Sequence, residues 1–148
     1  MKSIEKLFDE IMEEVTGNKI FICSFQSGVF AEETIINDLK LKKFKKAQVF
    51  VYPNEGDYKP HFHVVGDNGE YESCIRIDEN EYFLHKSYHI EMNNRDLKLL
   101  DKALRKTRSS GETYWEYMKK RWNDARTKIK IPEETTQPNY TILNEVKK

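Results

Sequence analysis

The chain has 148 residues, with 25 basic and 25 acidic side chains that cancel to a formal net charge of zero. That length supports one hydrophobic core, and eight Phe, eight Tyr and two Trp supply anchors that a disordered chain lacks. No apolar run approaches the roughly 20 residues that a membrane-crossing helix needs, and the acidic, amphipathic start MKSIEKLFDEIMEEV does not read as a signal peptide.

The predicted elements begin with a helix on which Ile4, Leu7, Phe8, Ile11 and Val15 share one face, capped by Ser3 and stopped at Gly17-Asn18. Residues 19–25 (KIFICSF) read as a strand. Residues 31–40 (AEETIINDLK) carry acids first and a lysine last, which predicts a short helix complementing its own dipole. Residues 46–52 (KAQVFVY), 61–65 (HFHVV) and 71–77 (YESCIRI) read as strands, and 82–84 (YFL) as a shorter one. The turn Gly66-Asp67-Asn68-Gly69 makes the middle pair a hairpin, so the strands form an antiparallel meander. A helix follows, capped by Asn93 or Asn94, with Leu97, Leu100 and Leu104 on one face. The next helix is expected to open at Ser109-Ser110-Gly111-Glu112, a capping-box pattern, to align Trp115, Met118, Trp122 and Ala125, and to close by Pro132. The polar tail either docks as an extended strap or frays.

The expected fold is therefore α+β: a three- to four-stranded antiparallel meander sheet with two C-terminal helices on one face. Residues 1–45 form a helix-strand-helix extension, 46–131 the core domain and 132–148 the tail. Apolar residues on both faces of a strand, Val49 and Val51 against Phe50 and Tyr52, predict cover on the second face as well. The N-terminal helix and the 19–25 strand supply that cover within one chain or through a homodimer. Cys23 and Cys74 are only two and lie far apart, which fits reduced thiols in a cytoplasmic protein.

Charge is segregated. Between Arg95 and Lys130 twelve bases face five acids, and Lys40, Lys42, Lys43, Lys45 and Lys46 form a second basic knot. Lys98, Lys102 and Arg105 share a helical face opposite the leucines, which makes them the candidate contacts to a nucleic acid.

The four histidines all lie between 61 and 89. Strand alternation puts Phe62 and Val64 on one face and His61 and His63 on the other, with the imidazoles about 6.5 Å apart along the strand. Two imidazoles so placed can grip a divalent metal, with His85, His89 or Glu72 reaching across to complete the set. The same pair, His61 and His63, with a lysine, is the minimal catalytic set for acid–base work on a phosphodiester. The bland alternative is a polar sheet surface bonded to backbone or covered by a helix. Cys74 falls mid-strand, where a buried thiol more often packs than reacts. Trp115 and Trp122 read as core anchors.

The stretch from Val49 to Asn123 resembles a family of small bacterial domains of unknown function built on a Pro-Pro-His-Phe-His strand motif. Here the motif stands as Lys59-Pro60-His61-Phe62-His63-Val64, with Lys59 in place of the first proline. Trp122-Asn123-Asp124 and Gln137-Pro138-Asn139-Tyr140-Thr141 match the longer variant of that family. The resemblance implies an accessory protein, bacterial or phage, in a toxin–antitoxin-like or defence system, and no established activity. Three functions follow: a regulatory module that binds a protein partner, a His-dependent and metal-assisted nuclease or phosphodiesterase, and a nucleic-acid-binding protein. Whether the chain is an enzyme is left open by the sequence.

Overall fold

β-branched and aromatic runs separated by short polar turns build the sheet. In the computed structural model, which describes residues 33–52, 58–125 and 128–146, these runs are β1 (Glu33–Lys40), β2 (Lys46–Val51), β3 (His61–Gly66) and β4 (Tyr71–Arg76). Each pairs antiparallel with its neighbour in chain order, giving the expected meander with four strands. Then come α1 (Asn94–Leu104), α2 (Tyr114–Asp124), a 3₁₀ turn (Tyr140–Ile142) and the short α3 (Leu143–Val146). The described residues fall in the second of the chain's two units, Glu32–Lys148. The helix expected over 4–15 and the strand expected over 19–25 lie outside the described residues. No described helix is long and apolar enough to cross a membrane.

Three expectations are corrected. Residues 31–40 were expected as a helix, but 33–40 form the edge strand β1, so the sheet starts ahead of the boundary placed at 45/46. Ile35 and Leu39 are both buried and four residues apart. A helix accommodates that spacing, and so does this strand, whose register shifts between Thr34 and Ile36 and again between Ile36 and Leu39. The β-branched run Thr34-Ile35-Ile36 and the pairing with β2 outweigh a surface dipole term of about 0.3–1 kcal/mol. Residues 82–84 make only an isolated bridge, Tyr82 to Ile75, and not a strand. The capping box of α2 is Thr113 with Glu116, one turn later than expected. Ser110 and Glu112 instead pair with each other and with Arg108 inside a loop closed by the Thr107–Thr113 bridge.

The core lies between the sheet and the helices. Val49, Val51, Phe62, Val64 and Ile75 meet Leu97, Leu100 and Leu104 of α1 and Trp115, Met118 and Trp122 of α2, all at most 1% exposed. Both tryptophans are core anchors, as expected. Asn93 caps α1 by accepting from the Asp96 amide. The Asp96 carboxylate, fully buried, accepts from the amides of Lys42, Lys43 and Phe44 at 2.6, 3.0 and 3.2 Å, tying the β1–β2 turn to the start of α1. Phe44 then lies against Gly66, where an added Cβ would stand 2.3 Å from the Phe44 carbonyl oxygen. Only glycine fits that close approach.

The tail docks. Tyr140, fully buried, donates its hydroxyl to the carbonyls of Arg76 and Ile77 at 3.0 and 2.9 Å, and its amide to Asp101 Oδ1 at 3.0 Å.

Candidate metal centre

The hairpin sets the site. Closing it on Gly66 and Tyr71 puts Cys74 opposite His63 and Arg76 opposite His61, with Glu72 two pairs nearer the turn than Cys74, opposite Val65. Period-two alternation then sends His61 and His63 from β3, and Glu72 and Cys74 from β4, to the face away from Phe62 and Val64.

That face is covered by residues 78–92, which have no regular structure beyond the Tyr82 bridge. The segment runs along β4, donating from the Phe83 amide to Cys74 O at 2.9 Å and from the Ile90 amide to Glu72 O at 2.8 Å. It starts at Arg76, whose guanidinium bonds Asp78 and Glu81. It is held at the far side by Tyr82, which donates to Asn144 Oδ1 at 2.7 Å and accepts from the Met92 amide at 3.0 Å. Burial pushes the Tyr82 phenol up to about 12, so the hydroxyl keeps its proton. Between these ties the segment carries His85 and His89 over the strand histidines.

All four histidines therefore meet. Ring centroids are 5.2 Å apart for His61–His63, 5.0 Å for His61–His85, 5.5 Å for His63–His85, 5.6 Å for His63–His89 and 4.8 Å for His85–His89. The sequence grouped His61 and His63 on one strand face, and the structure does so too. It also buries them, to 1% and 2% exposure, under an irregular segment and not a helix. Trp122 meets His61 edge-on at 5.7 Å, and Tyr52 meets His63 edge-on at 4.5 Å.

Two overlapping sets of donor atoms result, each with its atoms within 4.8 Å of one another: His63, Glu72, Cys74 and His89, and His61, His63 and His85. In the first, His63 Nδ1 lies 2.7 Å from Glu72 Oε2 and 3.0 Å from Cys74 Sγ. His89 Nε2 lies 3.3 Å from the same carboxylate oxygen and 3.8 Å from the sulfur. Bonds of about 2.0–2.3 Å around a tetrahedral zinc put neighbouring ligand atoms about 3.3–3.7 Å apart, which these separations bracket. In the second set, His61 Nδ1 donates to Lys59 O at 2.7 Å and His85 Nδ1 to Phe83 O at 3.1 Å. A carbonyl only accepts, so the proton sits on Nδ1 and Nε2 keeps its lone pair. That is how metal-binding imidazoles are oriented by backbone.

Charge fits the same use. The hydrogen bond from His63, against the opposing effect of burial, holds Glu72 below the usual carboxylate range. Burial, against the pull of Glu72, lowers His89 and favours its neutral form. Metal ligation needs both a carboxylate and a neutral imidazole. The Glu72 side chain is 20% exposed, the His89 side chain not at all.

Sequence reasoning named the four histidines and Glu72 but set Cys74 aside as packing. The signal was the hairpin: once its turn is placed, Cys74 falls opposite His63. The basic residues of α1 are elsewhere. Lys98, Lys102 and Arg105 are exposed on a helix whose leucines pack on the Phe62 side, behind the sheet from the histidines. Arg105 is bonded to Asp101 and to Pro138 O.

Compared with known proteins, the chain matches no family model, no curated protein and no solved structure.

Proposed function

We propose that the chain is a metal-dependent hydrolase centred on one transition-metal ion of the zinc type. The observation that carries this reading is the set His63, Glu72, Cys74 and His89, with donor atoms within 4.8 Å of one another. A thiolate with two imidazoles suits zinc and its neighbours, whereas magnesium and calcium take oxygen ligands. His63, Cys74 and His89 would hold the ion and leave its fourth position to water. Such an ion activates water and polarises a phosphoryl or acyl oxygen. Glu72, the member of the set with most solvent contact and held as a carboxylate, takes the proton of the attacking water. His61 and His85, fixed by their backbone bonds, carry protons to the leaving group.

A second reading keeps the ion structural. With Glu72 as fourth ligand the set is closed, and the ion staples residues 78–92 to the sheet. The chain is then a protein-binding module of the kind the resemblance implies, in a toxin–antitoxin-like or defence system. Tyr58, Leu84 and Tyr88, exposed at 48%, 38% and 56% around this segment, favour it.

One variant separates the two. The chain is purified without a histidine tag, its metal content measured, and turnover of a chromogenic phosphodiester and a chromogenic carboxylic ester followed. For the hydrolase, Glu72→Gln keeps the ion and loses about 10²-fold or more in rate. For the structural ion, wild type turns over neither substrate, and Glu72→Gln weakens metal binding. A chain that takes up no ion overturns both.

A further inference from the structure

We infer that the surface joining the β1–β2 turn to the first turns of α1 binds the phosphate backbone of a nucleic acid. The two basic clusters are about fifty positions apart in sequence, and Asp96 unites them. Its carboxylate takes the amides of Lys42, Lys43 and Phe44, which sets the lysine-rich turn against the helix that carries Arg95 and Lys98. Lys42, Asn94, Arg95, Lys98 and Leu99 line one shallow groove. Lys42, Lys43, Lys45, Lys46, Arg95, Lys98 and Lys102 are all exposed, and the acid between them, Asp96, is fully buried and turned inward onto amides. Among the described residues none of these seven cations is ion-paired. Asp67 and Glu70 bound the patch at the neighbouring β3–β4 turn, where the Asp67 amide meets Lys46 O, so its centre is Lys42, Arg95 and Lys98.

Unopposed cations flanking a groove attract a polyanion, and phosphates need nothing more than such cations and amides. A membrane surface would also need apolar anchors. Among the described residues the exposed large apolar side chains are Tyr58, Leu84, Tyr88 and Ile129, and none of them belongs to this turn or to α1. This surface lies behind the sheet from the histidines, so the inference does not rest on the metal reading.

The test is fluorescence anisotropy with a labelled DNA duplex of about two helical turns, in chelator, over a range of salt. Binding is expected at low salt, weakening with a log–log slope of about −3 to −4, near −0.9 for each phosphate neutralised. The triple variant Lys42→Glu, Arg95→Glu, Lys98→Glu should lose about tenfold or more in affinity. Its charge-matched control, Lys59→Glu, Lys86→Glu, Lys120→Glu, should stay within about twofold. Thermal melts confirm that both variants fold, and Lys42→Gln with Lys98→Gln repeats the comparison without charge reversal. No binding at low salt, a flat salt response or equal loss in the control overturns the inference. So does tighter binding to polyglutamate or to anionic vesicles than to the duplex.

Discussion

Two acids in this molecule, Asp96 fully buried and Glu72 partly exposed, work through what they accept. Asp96 takes three backbone amides of the β1–β2 turn, and these bonds join parts of the chain more than fifty positions apart. Asp96→Ala should cost about 2–4 kcal/mol, since one orphaned amide is buried and the other two are partly wet. Urea titration measures it, and a loss under about 0.5 kcal/mol would show that water replaces the carboxylate. Glu72 accepts from both His63 and His89, and it titrates below its ordinary 4.5 while His89 titrates below its ordinary 6.5. The metal-free native chain thus binds fewer protons than the unfolded chain, and stability rises with pH in that range. Acidification in chelator should lower Tm in stages, first as the pH falls below 6.5 through His89 and then below 4.5 through Glu72. His89→Gln should remove the first stage. A wild-type Tm flat across 6.5 would contradict the assignment. At this scale the sequence was informative about His61, His63 and Phe62, because alternation in a strand needs no knowledge of the rest of the fold. Cys74 was hidden because its role comes from the partner strand's register, and a lone cysteine carries no register of its own.

Elements were legible where period and punctuation agreed, and misread where a charge pattern or a cap pattern stood alone. β2, β3, β4 and α1 follow from alternation, a hairpin turn and an asparagine cap. β1 was misread because acids first and a lysine last suit a helix dipole, a weak signal that the β-branched run 34–36 and the pairing with β2 outweigh. The segment 78–92 has no period at all, yet it carries half of the histidines. Its shape comes from Tyr82 and Asn144, 62 positions apart, which share a hydrogen bond of 2.7 Å, and from Asn144 Nδ2 donating to Met92 O at 2.9 Å. Tyr82 and Asn144 are positioning residues for His85 and His89. Tyr82→Phe and Asn144→Ala should each weaken zinc binding by about three- to tenfold, roughly one hydrogen bond, with the sheet intact. Calorimetric titration with zinc and a circular dichroism melt separate the two effects. Unchanged affinity in both variants would show that the segment holds its shape without the tail.

At the scale of the whole molecule the sheet separates two surfaces. One face packs on the helices, and behind them lies the cationic groove. The other face gathers imidazoles, a thiol and a carboxylate under an irregular strap. Within a chain whose formal charge is zero, the described unit thereby carries a basic surface behind the helices and a donor cluster on the other face of its sheet. The sequence shows two basic clusters, but only the fold joins them, because Asp96 brings the turn at 42–44 to α1. The central claim is that Cys74 and the histidines bind one metal ion together, and cobalt substitution tests it most directly. The account predicts uptake of one cobalt ion per chain, with a thiolate-to-metal charge-transfer band that vanishes in Cys74→Ser and weakens in His89→Ala. A chain that binds no cobalt, or a band and affinity untouched by Cys74→Ser, would contradict it.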